Sequence, residues 1–149
     1  MQTLVRYFIL IFPPLLLFQC ARVSFPTGGE KDSLPPVMTN ASPKMNTIFF
    51  DKKEITITFD EFIKLKDITK QLIISPPMDQ DKYKIKPQSS VAKKIKIELL
   101  DSLIPNTTYT FNFGSAIKDL HEGNKLQNFE YVFSTGDVLD SLSVRGTLK

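Results

Sequence analysis

Two stretches of alternating aromatic and polar residues constrain the fold of this chain more than any other feature. Residues 107–113 read TTYTFNF, and residues 129–135 read FEYVFST. The aromatic residues that share one face of each stretch are Tyr109, Phe111, Phe113, Phe129, Tyr131 and Phe133. An alternation of period two, rich in aromatic and β-branched residues, is typical of a half-buried antiparallel strand. The sequence therefore predicts two strands, joined by a long loop, whose rings supply much of a small core.

The approach to the first of these strands has a more specific pattern. Leu103, Pro105, Thr107 and Tyr109 alternate in the order L-x-P-x-T-x-Y, which is the spacing of a tyrosine corner. In that motif, a tyrosine at the start of a late strand turns its hydroxyl group back onto upstream backbone. We expect the hydroxyl group of Tyr109 to donate a hydrogen bond to a buried backbone acceptor.

The long loop and the end of the second strand complete a recognisable order of motifs. The loop contains Asp119 and then the pair Gly123 and Asn124, which favours a turn because glycine accepts a positive φ. The second strand ends in Phe133-Ser134-Thr135. The order L-x-P-x-T-x-Y, D-x-x-x-G-N and F-S-T resembles the C-terminal half of the bacterial Ig-like domains of S-layer and cell-surface proteins. In that resemblance Asp119 is a turn-former that caps backbone amides.

Shorter patterns upstream predict the rest of the fold. The predicted strands are Val37–Pro43, Thr47–Phe50, Glu54–Asp60, Leu72–Ser75, Lys82–Lys86 and Lys94–Leu100. Residues 63–71 are ambiguous and fit a loop with a helical turn. Short strands with turn signals at intervals of about eight to twelve residues indicate an antiparallel β-sandwich rather than a βαβ fold. We therefore predict an all-β, Ig-like antiparallel sandwich of about seven strands over residues 37–136.

The N-terminal region has the pattern of a targeting segment. Arg6 precedes the apolar run 7–18, which is shorter than the roughly 20 residues of a transmembrane helix and contains Pro13-Pro14. Residues 1–19 are therefore predicted to be a signal peptide. The only cysteine of the sequence, Cys20, comes directly after them and cannot form a disulfide within the chain.

Cys20 resembles the lipidated cysteine of a bacterial lipoprotein signal. The resemblance implies cleavage before Cys20 and acyl chains, such as palmitate, that anchor the protein to a membrane of the cell envelope. Leu17-Phe18-Gln19 departs from the small residues expected at the last two positions before the cysteine. The alternative is an incidental cysteine in an uncleaved anchor.

Residues 20–36 form a predicted flexible tether, which is rich in proline and glycine. Its PTGGEKDxxPP run resembles Gram-negative envelope lipoproteins in which the same Ig-like domain comes first. No acidic residue crowds Cys20, so we expect the periplasmic face of the outer membrane. Residues 137–149 are predicted to be a linker followed by the first strand of a second β-domain, the alternative being a tail that adds an edge strand or hangs free.

One cluster of polar side chains could bind a metal ion. Asp119, His121 and Glu122 lie close together in the long loop, and carboxylate and imidazole groups are ligands of divalent ions. With one histidine and no cysteine partner, the cluster fits a solvated turn better. We therefore expect no metal and no cofactor.

The chain contains residue types that hydrolytic enzymes use, but the sequence patterns that bring such residues together in an active site are absent. Ser115 or Ser134 could join His121 and Asp119 in a catalytic triad, but no nucleophile elbow surrounds either serine. The pair Asp60-Glu61 is a poor glycosidase dyad, because adjacent residues of a strand face opposite sides. We therefore expect a protein that is not an enzyme.

Two classes of function remain. The net charge of +3 is too small to indicate nucleic-acid binding. The first class is a membrane-tethered spacer, scaffold or protein-interaction module that meets other envelope proteins. The second is a module that binds carbohydrate or an envelope polymer. Exposed aromatic residues such as Phe49-Phe50 or Tyr83 would favour this second class. Lysines at 82–86 and 94–96 could form a basic outer face that weakly contacts glycans or anionic surfaces, although lysines also keep sheets soluble.

Overall fold

The computed structural model of the protein describes residues 29–88 and 90–140. The chain divides into two compact units, Met1–Lys31 and Asp32–Lys149, and every strand and helix of the described residues belongs to the second unit. The predicted signal peptide, Cys20 and the predicted strand at the C-terminal end of the chain lie outside the described residues. Among the residues that are described, no helix has the length and apolar character needed to cross a membrane.

The described part of residues 32–140 contains eight strands and one helical turn. They are β1 (Met38–Ser42), β2 (Glu54–Leu65), α1 (Ile68–Gln71), β3 (Ile73–Ser75), β4 (Tyr83–Lys86), β5 (Ala92–Leu99), β6 (Thr108–Asn112), β7 (Ile117–Asp119) and β8 (Glu130–Ser134). The strands form two antiparallel sheets. The prediction of an all-β antiparallel sandwich is confirmed.

The first sheet is built around β2. Its strand order is β1–β2–β5–β4, and β7 pairs with the C-terminal end of β2. The second sheet has the order β3–β6–β8. In the first sheet Ile57 lies opposite Ile95, and Ile97 lies opposite Ile85. This register places the isoleucines on the inner face, so threonine, lysine and glutamate occupy the outer face.

The core is formed by the aromatic rings that the alternation predicts to face inward. Tyr109, Phe111, Phe113, Tyr131 and Phe133 are buried, and Phe129 packs against them partly buried. The ring of Phe133 stacks on that of Tyr109 with centroids 5.4 Å apart. Burying an aromatic side chain contributes about 1.5–3 kcal/mol, so these rings are a main source of the stability of the sandwich.

Residues 46–50 form a link between the two sheets. They come after β1 of the first sheet and run parallel to β8 of the second, with one bridge between Thr47 and Phe133. Four backbone hydrogen bonds of 2.8–2.9 Å join them, from the N–H groups of Asn46, Phe49, Phe50 and Ser134 to the carbonyl oxygens of Val132, Gly136, Ser134 and Thr47. The short strand predicted at 47–50 is therefore an irregular segment that extends the second sheet.

The alternation predicts that β2 ends at Asp60, but the strand continues to Leu65. Beyond Asp60, the polar residue Glu61 takes an inward position and the apolar residue Phe62 takes an outward position. Glu61 is partly exposed, and burial in the first place, then the charge of Asp119, raises its pKa. Phe62 is exposed, and the pairing shifts register between Thr58 and Ile63. These reversals hide the alternation on which the prediction depended.

The predicted long loop between β6 and β8 contains the additional strand β7. This strand has three residues, of which Ile117 and Asp119 are buried. It is too short to show an alternation, and the aspartate at its end is a residue type that favours turns. The prediction of an uninterrupted loop was therefore wrong.

The sandwich has two ends, which we call proximal and distal. The proximal end holds residues 32–37 and the loop 119–124, which are joined by hydrogen bonds. The distal end holds residues 48–53, 99–107 and 134–140, which are joined by backbone and side-chain hydrogen bonds. Because β2 runs from one end to the other, the chain enters the sandwich and leaves it at opposite ends.

Candidate functional site

Asp119 organises the loop at the proximal end. It is only 1% exposed, and its Oδ1 accepts hydrogen bonds from the backbone N–H groups of Glu122 at 2.7 Å and Gly123 at 2.9 Å. Its Oδ2 accepts one from Asn124 at 2.7 Å. Burial alone would raise the pKa of Asp119, but the hydrogen bonds from Gly123, Asn124 and Glu122 outweigh burial and lower it. The side chain is thus a buried, charged turn-former.

The candidate metal ligands do not converge. Both carboxylate oxygens of Asp119 face backbone N–H groups, while His121 and Glu122 are exposed. Within residues 29–88 and 90–140, no group of three or more histidine, cysteine, aspartate or glutamate side chains is placed to hold a metal ion. The geometry of the loop is that of a turn, in which Gly123 supplies the positive φ of 81°.

Asn124 has a further role that the sequence pattern did not indicate. Its side-chain amide donates hydrogen bonds to the carbonyl oxygens of Asp32 at 3.1 Å and Leu34 at 3.0 Å. The backbone N–H of Val37 then donates to Oδ1 of Asp60 at 2.9 Å. The flexible tether that we predicted up to residue 36 is therefore held against the sandwich from residue 32 onward.

The tyrosine-corner residues lie at the distal end. The backbone N–H of Ile104 donates to the hydroxyl oxygen of Tyr109 at 2.9 Å. We expected this hydroxyl group to donate to a backbone acceptor, but here it accepts. The carbonyl oxygen of Ile104 accepts a hydrogen bond from the hydroxyl group of Thr135 at 2.7 Å. Leu103 packs partly buried against the core, and the Thr107 hydroxyl group donates to the Pro105 carbonyl oxygen at 2.9 Å.

The end of β8, Phe133-Ser134-Thr135, closes the same corner. The Thr135 hydroxyl oxygen accepts a hydrogen bond from the backbone N–H of Thr107 at 2.9 Å. The buried Ser134 hydroxyl oxygen accepts one from the N–H of Gly136 at 3.1 Å. Gly136 lies so close to the 100–107 loop that a Cβ atom there would be 2.9 Å from Cα of Asn106. Both hydroxyl groups thus hold backbone in place.

The candidate nucleophiles are not brought to the candidate base. Ser134 is at the distal end, whereas His121 is at the proximal end. The Ser115 hydroxyl group donates to Oε1 of Gln71 at 2.7 Å. The Asp119 carboxylate accepts hydrogen bonds from the backbone N–H groups of its own loop. A serine, histidine and aspartate triad is not assembled from these residues.

The basic outer face that the lysines predict is present on β4 and β5, which pair directly. Its lysines are Lys84, Lys86, Lys94 and Lys96. Lys86 lies 2.8 Å from the carboxylate of Glu98, and Lys96 lies 3.0 Å from that of Glu54. Lys82 precedes β4, and its ammonium group lies 3.6 Å from Asp79 and 3.7 Å from Asp101.

The aromatic residues that would form a glycan platform do not stand together at the surface. Phe49 is 65% exposed, but Phe50 is buried, with its ring centroid 4.0 Å from that of Phe133. Tyr83 is half-buried and meets the ring of Phe111 edge-on. These candidates provide one exposed ring rather than a pair.

Comparison with known proteins gives two findings. A family model described as a bacterial Ig-like domain matches residues 32–135. A solved structure, the N-terminal part of the bacterial S-layer protein SbsC, is similar with a TM-score of 0.39 and 19% sequence identity. The similarity covers 69% of this chain and 24% of that chain, so this chain spans about a quarter of its length. No curated protein matches.

Proposed function

The chain belongs to the bacterial Ig-like domain family, and we propose that it is a non-catalytic spacer or scaffold module, tethered to a membrane by lipid on Cys20. The predicted resemblance to this family is confirmed by the match over residues 32–135. Domains of this family are generally non-catalytic, and the family suggests a structural or interaction module of an extracellular or envelope protein.

The observation that carries the proposal is that the chain enters and leaves the sandwich at opposite ends. Residues 32–37 are held at the proximal end, and residues 135–140 run along the distal end, where the N–H of Asp140 donates to the Thr108 hydroxyl group at 2.9 Å. β5 has eight residues and is about 26 Å long. A domain placed in the chain in this way separates its N-terminal and C-terminal neighbours by about that length.

The sequence supports the membrane tether. The apolar run before Cys20 and the proline- and glycine-rich residues after it fit a lipid anchor with a flexible reach. Such an anchor would hold the domain at the periplasmic face of the outer membrane, where other envelope proteins are its expected partners. The clamp on residues 32–34 would end the flexible part at the proximal end of the sandwich.

The experiment is the intact mass of the protein extracted from membranes of its host, beside a Cys20→Ser variant. We expect a mass that begins at Cys20 and includes acyl chains for the wild type. We expect the variant to carry no acyl chains. A wild-type mass that begins at Met1 without lipid would overturn the tether, and the spacer geometry would then stand without an anchor.

A further inference from the structure

The outer face of β4 and β5 contains an open groove of about 560 Å³. Four lysines line it, Lys84 and Lys86 from β4 and Lys94 and Lys96 from β5. The short side chain of Ala92 and the ring of Pro87 leave space between them. Lys86 lies opposite Lys96, whereas Lys84 lies opposite Glu98, so the lysines form a staggered grid with Lys84 and Lys94 at its two ends. Neighbouring strands lie about 4.8 Å apart, and alternate residues of a strand lie about 6.7 Å apart.

The stability of the sheet does not account for this grid. Lys86 and Lys96 lie directly opposite each other in the antiparallel register, and opposed like charges destabilise a sheet. The diagonal ion pairs to glutamate compensate these two lysines. Within the described residues, no carboxylate lies within 4.0 Å of the ammonium group of Lys84 or Lys94. Lys84 lies opposite Glu98 in the register, so four lysines share two glutamates, and the groove carries a surplus of positive charge.

This charge lowers the pKa of Glu98, which lies beside the groove. The hydrogen bond from Lys86 is the largest influence on Glu98 and lowers its pKa, against a smaller effect of burial. The charges of Lys86, Lys96 and Lys84 lower the pKa of Glu98 further. A positive local potential of this kind attracts anions to a concave surface.

The shape of the surface indicates a chain-like anion. Lys84 and Gln88 also line a second groove of about 360 Å³ at the edge of β4, together with Gln80 and the half-buried Tyr83. A polymer that passes Lys84 and Gln88, which line both grooves, crosses from the outer face to the edge of the sheet. A flat membrane that contacts the outer face does not also reach the second groove, which is lined by the inward-facing positions Tyr83 and Ile85. The observations therefore favour an acidic glycan over a lipid surface.

We propose that the lysine groove of β4 and β5 binds an anionic polysaccharide, which is a linear glycan with carboxylate groups along its chain. Lysine ammonium groups on an open surface act as point charges, so the binding is salt-dependent and has little selectivity for the sugar sequence. This role goes beyond the spacer function and does not depend on a lipid at Cys20.

The experiment measures binding of the full chain, in an uncharged detergent, to polygalacturonate at low salt, with uncharged dextran alongside. The test variant is Lys84→Gln with Lys94→Gln, which removes the two groove lysines whose ammonium groups form no ion pair within 4.0 Å among the described residues. The matched control is Lys44→Gln with Lys125→Gln, which removes two exposed lysines outside the groove and changes the net charge equally. We expect the test variant to bind about tenfold more weakly than the wild type, and the control to lose at most about twofold.

Further readouts separate a local site from general attraction. The affinity of the wild type should fall steeply with added salt, and the test variant should show a shallower dependence. Polygalacturonate should raise the unfolding temperature of the wild type more than that of the test variant. Equal losses in the two variants, or equal binding to dextran, would overturn the proposal. Binding to phosphatidylglycerol vesicles without binding to polygalacturonate would also overturn it, because the partner would then be a lipid surface.

Discussion

Replacing Asp119 with asparagine tests whether one buried carboxylate holds the proximal end together. The carboxylate accepts three backbone hydrogen bonds of 2.7–2.9 Å, two on one oxygen and one on the other. Asparagine has nearly the same shape but only one oxygen, and its NH₂ group cannot accept a hydrogen bond. If its oxygen keeps the two bonds from Glu122 and Gly123, its NH₂ group faces the N–H of Asn124. One charge-assisted hydrogen bond is lost, and one partly buried N–H group has no acceptor.

The expected loss in free energy of unfolding is about 2–4 kcal/mol, from the usual cost of a hydrogen bond to a charged group plus an unsatisfied donor. Urea denaturation of the folded domain measures it, and we expect the midpoint to fall by at least about 1 M. The matched control is Asp81→Asn, an exposed aspartate of the turn before β4, which should change the free energy of unfolding by no more than about 0.5 kcal/mol. Equal midpoints for the wild type and Asp119→Asn would refute the reasoning.

The same pair of proteins gives a pH prediction. The pKa of Asp119 in the folded protein is below its ordinary value of 3.8, so folding favours the ionised carboxylate. This stabilisation is fully present above about pH 5 and is lost as the pH falls below 3.8 through the folded pKa. The difference in free energy of unfolding between wild type and Asp119→Asn should therefore be constant near neutral pH and shrink in acid. A difference that grew in acid would contradict the assigned direction of the shift.

Two further predictions concern the distal end. Tyr109→Phe removes the hydroxyl oxygen that accepts from the N–H of Ile104 and should lower the free energy of unfolding by about 1–2 kcal/mol; an unchanged urea midpoint would show that the hydroxyl group does not support the corner. Gly136→Ala would bring a Cβ atom within 2.9 Å of Cα of Asn106 and should destabilise by about 1–3 kcal/mol, whereas Gly29→Ala meets no atom within 4 Å and should be neutral. Thermal unfolding of both variants measures the contrast.

The sequence predicts the fold well where alternation is undisturbed. The rings of β6 and β8 and the isoleucines of β2 and β5 face inward as expected, because a sheet with one solvated face leaves a period of two in the sequence. The predicted end of β2 was too early, because the polar Glu61 takes an inward position and the apolar Phe62 takes an outward position. It missed β7, because three residues ending in a buried aspartate do not form a period.

The site is less predictable than the fold. The spacing of 103–109 indicates that Tyr109 turns back onto the backbone, but not whether its hydroxyl group donates or accepts. The carbonyl group of Ile104 is bound by Thr135, which lies 31 positions away, and the spacing does not indicate this contact. The clamp by Asn124 joins residues 90 and 92 positions apart, and nothing in the local sequence marks such a contact. The lysines of β4 and β5 are visible in the sequence, whereas their common groove depends on the pairing register.

The parallel contact between residues 46–50 and β8 determines how the domain responds to tension. A pull on the tether at the proximal end and on the chain at the distal end acts along the strands in opposite directions. The four backbone hydrogen bonds of this contact lie across that direction and are loaded in shear. These hydrogen bonds must break together. In a hairpin that is opened from its end, the hydrogen bonds instead break one after another. A domain with this connection resists a stretching load through backbone hydrogen bonds that its surface side chains do not form.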